Sequence, residues 1–295
     1  MTEEDNSNSL DSIHGHYSNT ERVLTSEEHN CLYAPEHQER QQVSAFKQNQ
    51  FDKNAQKYWD QFYKRNTNNF FKDRHWTLRE FNINPTEISR LLEVGCGVGN
   101  FLFPLLNELP NLFIYACDFS STAIDLLRKN ANYDPQRIES FVCDLTDEKD
   151  LPIEENSIDF CSMIFVLSAI HPDKMLGVLK KIHQVKHFFK LNSNDSFVFF
   201  CKVLKPGGYL LFRDYGLYDH AMFRFARQRQ HKLSENFYVR QDGTRAYFFS
   251  IEYLTNLLNN CQFHIDELSY VLKETVNIKE EICVPRVFIQ GKFRK

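Results

Sequence analysis

Residues 91–100 read LLEVGCGVGN, and the spacing of their glycines decides the fold. Leu91, Leu92 and Val94 around an acid, followed by Gly95, Gly97 and Gly99, describe a buried parallel strand that turns sharply towards a helix around a bound nucleoside. A dinucleotide fingerprint places its third glycine three residues after the second, because the helix N-terminus must meet a pyrophosphate. Here the glycines alternate, and Asn100 stands where that third glycine would be.

With Glu93 two residues before it, such a loop suits S-adenosylmethionine, a cofactor with a charged amino acid and no pyrophosphate, and it predicts a methyltransferase. Downstream, Phe101, Leu102, Leu105, Leu106 and Leu109 have helical spacing, closed by Pro110. The next strand, LFIYACD, ends on Asp118, where a carboxylate can accept both ribose hydroxyls. The competing reading of Asp118 is a helix N-cap, although Ser120 is itself well placed to cap. IESFVCD ends on Asp144 and is followed by Leu145, the position beside the adenine, where the acid accepts the exocyclic amine and the leucine covers the ring.

The run SIDFCSMIFVLSAI is nearly continuous and suits a strand buried on both faces. Ile164 near its end either packs on the ring's other side or is plain core. A helix from Pro172, a fifth strand in KVLKPGGYLLFRDYG, a helix near 250–260 and strands around 263–271 and 283–293 complete the pattern. The alternation predicts a Rossmann-like, doubly wound α/β domain with a seven-stranded sheet, the class I S-adenosylmethionine-dependent methyltransferase architecture.

A chain of 295 residues with 42% apolar content can bury one large core, so a single catalytic domain is expected over residues 85–295. Residues 36–84 read as an N-terminal helical segment. Residues 1–35 form a polar, acidic tail with almost no periodic apolar pattern, expected to be disordered, and its acidic start argues against a presequence. The longest stretch without a strongly polar residue, Ser162 to Ile170, falls far short of the about 18–20 residues that span a bilayer. Eight cysteines show neither a CxxC pair nor a His-containing ligand spacing, which predicts reduced core thiols, no metal and a cytosolic or nuclear protein. The formal charge of −4 gives no global attraction to nucleic acid, so any such binding rests on local patches.

One segment breaks the pattern. Residues 185–201, VKHFFKLNSNDSFVFFC, interrupt a helix, and without them Val203 falls four positions after Ile182 and continues its apolar stripe. A GTAAG-like donor can encode the first of these residues, and a pyrimidine tract with an acceptor their Phe-rich end. A retained intron and a genuine surface excursion both stay open; sequencing the mature transcript separates them.

Two segments outside the cofactor frame carry cations. QFYKRNTNNFFKDRHWTLREF at 61–81 interleaves aromatics with Lys64, Arg65, Lys72, Arg74, His75 and Arg79, which suits stacking on bases beside phosphate contacts. The competing reading is an amphipathic helix that covers the sheet with its cations solvated, and cation density alone does not decide between them. AMFRFARQRQHK at 221–232 holds Arg224, Arg227, Arg229, His231 and Lys232 without an acid between them, either a phosphate-binding feature or a solvated face. Asp214, in RDYG, is expected at the sheet rim as an exposed carboxylate that orients a nucleophile or balances charge, or as a turn former before Gly216. Arg286, in CVPRVF, can reach the same rim. The (D/N/S)PP(Y/F) motif of exocyclic amino methyltransferases is replaced by IFVLSAIHPD, which favours a substrate nitrogen that already has a free in-plane lone pair.

The ordered motifs FYKRN, FFKDRHW, GCGVGN, YACDFS, CDLTD, FVLSAIHPDKM, KVLKPG, RDYGLYDHAM, NFYVRQDGTR, YFF and CVPRVF resemble the methyltransferase-like family that makes 3-methylcytidine in tRNA anticodon loops. The match runs from about Phe46 to Lys295 apart from residues 185–201, which depart from the family pattern. LTSEE, RDYGLYDHAM, ETVN and CVPRVF look most like the cytosolic branch that modifies serine tRNAs and cooperates with seryl-tRNA synthetase. The resemblance implies cofactor contacts at Trp59, Tyr63, Gly95, Asp118, Asp144, Leu145 and Ile164. It further implies Asp214 and Arg286 around the target cytosine, and tRNA contacts near Lys72, Arg74 and His75. In-line transfer to cytosine N3 is the expected chemistry, with no covalent cysteine intermediate. A methyltransferase for proteins or small molecules, and a cofactor-binding adaptor without catalysis, are the rival readings.

Overall fold

The computed structural model describes residues 9–11, 16–34, 42–67, 70–83, 89–149, 151–183, 203–277 and 282–295. Residues 185–201 lie outside the described residues. Before the first core strand come β1 (Ser9–Asp11), β2 (His16–Ser18), α1 (Ser26–Tyr33), α2 (Ala45–Lys53), α3 (Ala55–Asn66) and the short α4 (Thr77–Glu80). The alternating part follows as β3 (Arg90–Val94), α5 (Leu102–Glu108), β4 (Phe113–Asp118), α6 (Ser121–Arg128), β5 (Ile138–Val142), β6 (Ile158–Ile164), α7 (Pro172–His183) and β7 (Leu204–Tyr215). Then come α8 (His220–Ala226), the short strands β8 (Lys232–Ser234), β9 (Phe237–Val239) and β10 (Arg245–Tyr247), α9 (Ile251–Asn260), β11 (His264–Asn277) and β12 (Ile282–Arg294).

The main sheet runs β1-β11-β12-β7-β6-β3-β4-β5, with β2 also paired to β11. Strands β5, β4, β3, β6 and β7 are parallel to their neighbours, and β12 joins β7 antiparallel. The parallel strands are apolar without alternation because both faces are covered. Leu91, Leu92 and Val94 are all buried, and residues of β3 contribute to apolar clusters on both sides of the sheet. The chain winds from β3 outwards through β4 to β5, then returns to β6 on the other side of β3. That reversal leaves a crevice at the carboxyl ends of β3, β4 and β6, where an open α/β sheet binds its ligand.

Seven strands form the expected architecture, and β1 and β2 extend it to nine. Of residues 1–35, the described parts, 9–11 and 16–34, thus hold two strands and a helix where a disordered tail is expected. Strand pairing onto β11 needs backbone donors and acceptors rather than an apolar period, so composition does not register it. Helix α1 is set by a capping box in which Thr25 accepts from the Glu28 N–H and Glu28 accepts from the Thr25 N–H. It buries only Cys31 and Leu32, against Met222, Phe223 and Phe225 around α8. The antiparallel sheet β10-β9-β8 is likewise absent from the sequence reading, since three-residue strands are too short to show alternation.

Candidate active site

The crevice is a cleft of about 800 Å³ with the open solvent at its mouth included. Its floor is the loop after β3, where Gly95, Gly97 and Gly99 have φ of 63°, 54° and 96°, a region that strains side chains. Space is as restrictive as conformation: a Cβ on Gly95 would collide with Val166, and one on Gly97 would lie 2.7 Å from the Tyr63 hydroxyl. Asp118 closes one end. Its Oδ2 accepts from the Gly97 N–H at 3.0 Å and its Oδ1 from the Ser120 N–H at 2.9 Å. Ser120 takes the N-cap of α6 through its own Oγ, so the cap reading of Asp118 falls away. Burial pushes the Asp118 carboxyl up to about 6, against the pull of those N–H groups. Asp144 and Leu145 line the same end; Asp144 Oδ1 accepts from the Thr146 N–H at 2.8 Å.

The roof comes from α2 and α3. Trp59 and Tyr63 lie one turn apart on α3 and both line the cleft. Asp52 on α2 is held by Arg245 at 2.8 Å and Lys174 at 3.5 Å. Asp60 Oδ1 accepts from Ser120 Oγ at 2.6 Å and the Thr122 N–H at 3.2 Å, and Gln56 Nε2 donates to the Phe119 carbonyl at 2.6 Å. These contacts tie the roof to the turn between β4 and α6, to the first turn of α7 and to β10. Tyr58 fills the space that a Cβ on Gly243 would need, so the loop after β9 also fits against the roof.

On β3, two residues before Gly95, stands a buried acid. Glu93 is 3% exposed, its Oε2 has no hydrogen-bond partner among the described residues, and burial pushes its carboxyl up to about 8. Two carboxylates that line the cleft, a glycine floor and a buried unpartnered acid just before that floor fit a nucleoside that carries a sulfonium and an amino acid. S-adenosylmethionine has that form. A family profile described as a methyltransferase domain matches residues 92–186. The human tRNA N(3)-cytidine methyltransferase METTL6 is 51% identical over 281 residues, covering 93% of this chain and 90% of its own. This chain belongs to the tRNA N(3)-cytidine methyltransferase family. The zebrafish (Danio rerio) tRNA N(3)-cytidine methyltransferase METTL2 is 40% identical over 294 residues, covering 86% of this chain and 78% of its own. A crystal structure of an S-adenosylmethionine-dependent methyltransferase from Anabaena variabilis shares the fold, with a TM-score of 0.52 at 14% identity over 82% of this chain and 95% of that one.

Within this methyltransferase, the structure moves several side chains from their expected places. Ile164 is 5% exposed and packs in the core with Phe160 and Leu211; Phe165 and Val166 line the cleft instead. Phe165 has φ of 60°, a rare conformation for a bulky residue, which turns its ring towards Tyr215 at 5.1 Å and Phe288 at 5.5 Å. Nothing in the sequence marks that turn.

Asp214 is fully buried, which corrects the expected exposed carboxylate. Its Oδ2 accepts from the Ser168 N–H and its Oδ1 from the Tyr215 N–H, both at 2.9 Å, and burial pushes it up to about 6. It therefore braces the turn that carries Phe165, Val166 and Ala169. Arg286 is engaged by another acid: its Nε donates to Asp219 Oδ2 at 2.8 Å, and the Val287 N–H donates to the same oxygen at 2.8 Å.

The segment around Lys72 is anchored by Arg213, a buried cation that pairs with Glu80 and lies 4.3 Å from the Trp76 ring centre. Lys273 reaches Glu80 at 3.2 Å from β11. Lys72 and His75 are exposed, and so is Phe70, which meets the Phe62 and Phe71 rings edge to face. Arg74 departs from its neighbours: it is half-buried and lies over the Phe165 ring at 5.4 Å. The 221–232 stretch is less positive than its letters suggest, because the tail supplies acids that sequence adjacency hides. Arg227 pairs with Glu27 at 3.2 Å, while Arg224 lies 5.4 Å from the Phe225 ring. Among the described residues no group of three or more His, Cys, Asp or Glu side chains could hold a metal, and no helix is long and apolar enough to cross a membrane.

Proposed function

We propose that this protein forms 3-methylcytidine at position 32 of the anticodon loop of serine tRNAs, in the cytosol and with access to the nucleus, cooperating with seryl-tRNA synthetase. The observation that carries the reading is the 51% identity over 93% of the chain to a relative named for this reaction, joined to a cleft built for a nucleoside with a cationic end.

S-adenosylmethionine, when bound, supplies an electrophilic methyl group. Asp118 and Asp144 hold the nucleoside end, and Trp59 and Tyr63 exclude water above it. Neutral cytosine carries its N3 lone pair in the ring plane, so attack requires no prior proton removal, and the main task is to unstack the base and align it. The exposed Phe70, Lys72 and His75 suit an unstacked loop, with ring stacking beside cations. Asp214 is a positioning residue in this account. It acts through the Ser168 turn on Phe165, whose ring, with Tyr215 and Phe288, forms an aromatic wall at the rim. Arg286, fixed by Asp219, orients the RNA at that rim.

The specificity is tested with unmodified serine, threonine and arginine tRNA transcripts, each with and without seryl-tRNA synthetase, by nucleoside mass spectrometry. Serine transcripts are expected to gain 3-methylcytidine, and faster with the synthetase. Equal methylation of all three, indifferent to the synthetase, would overturn the serine assignment.

A further inference from the structure

Arg74 falls within a basic run, yet its geometry differs from that of the cations beside it. Its N–H donates to the Asn100 carbonyl at 2.8 Å, while Asn100 Nδ2 donates to the Phe71 carbonyl at 2.9 Å and to Asp73 Oδ1 at 3.1 Å. Asn100 is the residue that replaces the third glycine of a dinucleotide loop. It fastens segment 71–74 to the end of the glycine floor, and the Arg74 side chain lies over Phe165, a residue that lines the cleft.

The guanidinium has no hydrogen bond or ion pair among the described residues. The charged groups facing it are Glu93 and Arg213, and Arg213 is already matched by Glu80. Glu93 is in electrostatic reach but not in contact, and it also keeps an unpartnered oxygen. A half-buried guanidinium without an acceptor loses water contacts that nothing in the free protein replaces. Phe165 and Gly95 both line the cleft, and an unpartnered cation over Phe165 with an unpartnered acid two residues before Gly95 is complementary to one ligand group, an α-amino acid with a carboxylate and an ammonium.

We propose that Arg74 is a cofactor-binding residue that holds the carboxylate of the methionyl end of S-adenosylmethionine, and that it does not contact RNA. Its planar fork of donors matches a carboxylate bidentately. This deepens the assignment of the cleft to S-adenosylmethionine, and binding of 5′-methylthioadenosine, which lacks the amino acid altogether, checks that assignment separately.

The test is calorimetric binding of S-adenosylhomocysteine and of its analogue without the carboxylate. Wild-type protein is expected to bind the analogue about ten- to a hundredfold more weakly, the range of a charge-assisted pair. In Arg74→Ala that preference should vanish, through loss on S-adenosylhomocysteine alone, and Arg74→Lys should restore part of it. Binding of a fluorescent anticodon stem-loop with saturating S-adenosylhomocysteine should be unchanged in both variants. Equal affinity of the wild type for the two ligands would overturn the proposal without any variant, so a folding defect cannot shelter it. Undiminished S-adenosylhomocysteine affinity with weakened RNA binding in Arg74→Ala would assign the residue to RNA instead. Failure of 5′-methylthioadenosine to bind the wild type would overturn the cleft assignment itself.

Discussion

The hydroxyl of Tyr63 occupies the space above Gly97, 2.7 Å from where a Cβ there would stand, so the roof helix and the glycine floor are fitted to each other. Gly97→Ala is expected to lower cofactor affinity about tenfold or more, since a side chain at φ of 54° costs roughly 1–2 kcal/mol before the contact with Tyr63 is counted. Tyr63→Phe in the same protein removes the hydroxyl and should recover part of the loss. Calorimetry with S-adenosylhomocysteine reads both; a double variant no better than Gly97→Ala would show that the two residues do not restrict each other.

Asp52 joins the roof to Arg245 and Lys174, and Arg245 is buried. Asp52→Asn should weaken this latch by about 1–2 kcal/mol and speed cofactor release roughly five- to thirtyfold, with folding temperature little changed. Trp59 in the cleft offers a stopped-flow fluorescence signal. A release rate equal to that of the wild type would mean that the latch does not govern the roof.

Glu93 gives a signed pH dependence. Its carboxyl is raised from 4.5 to about 8, so between those values the folded protein keeps a proton that the unfolded chain has lost. Its contribution to stability is fully present below that window and is lost as pH rises through it, by up to about 1.4 kcal/mol per pH unit. Glu93→Gln should flatten the fall in unfolding free energy between pH 5.5 and 8. Binding a ligand whose ammonium lies beside Glu93 should also expel close to one proton at pH 7, measured by calorimetry in buffers of different ionisation enthalpy. An unchanged proton count in Glu93→Gln would remove Glu93 from the cofactor site.

The doubly wound sheet and the floor of the cleft were legible because they rest on spacing that recurs over many residues. Alternate glycines, acids at the ends of LFIYACD and IESFVCD, and uninterrupted apolar strands all survive without knowledge of distant contacts. Features made by juxtaposition were not legible. Arg74 reads as one more cation in FFKDRHW, and only the Asn100 contacts show that it faces away from Lys72 and His75. Arg227 reads as unpaired because Glu27 stands 200 positions away along the chain. Asp214 and Ile164 sit at the correct strand ends, but strand pleating and the positive φ of Phe165 decide which neighbour faces the cleft.

Asp214 separates bracing from direct chemistry. Asp214→Ala removes the acceptor of the Ser168 and Tyr215 N–H groups, so loss of methyl transfer should come with weaker cofactor binding, because Val166 and Ala169 line the cleft from the same turn. Asp214→Asn keeps one acceptor and should retain more of both. If Asp214→Ala loses turnover more than a hundredfold while cofactor affinity and the pH profile stay unchanged, the carboxylate acts on the base directly.

The central claim is methyl transfer to cytidine N3, and it is tested most directly with a synthetic serine-tRNA substrate carrying cytidine or uridine at position 32. The full chain is incubated with methyl-labelled S-adenosylmethionine, followed by nucleoside mass spectrometry. Labelled 3-methylcytidine is expected from the cytidine substrate, none from the uridine substrate, and no product in Asp118→Ala. Label recovered on any other nucleoside, or on the uridine substrate, would contradict it.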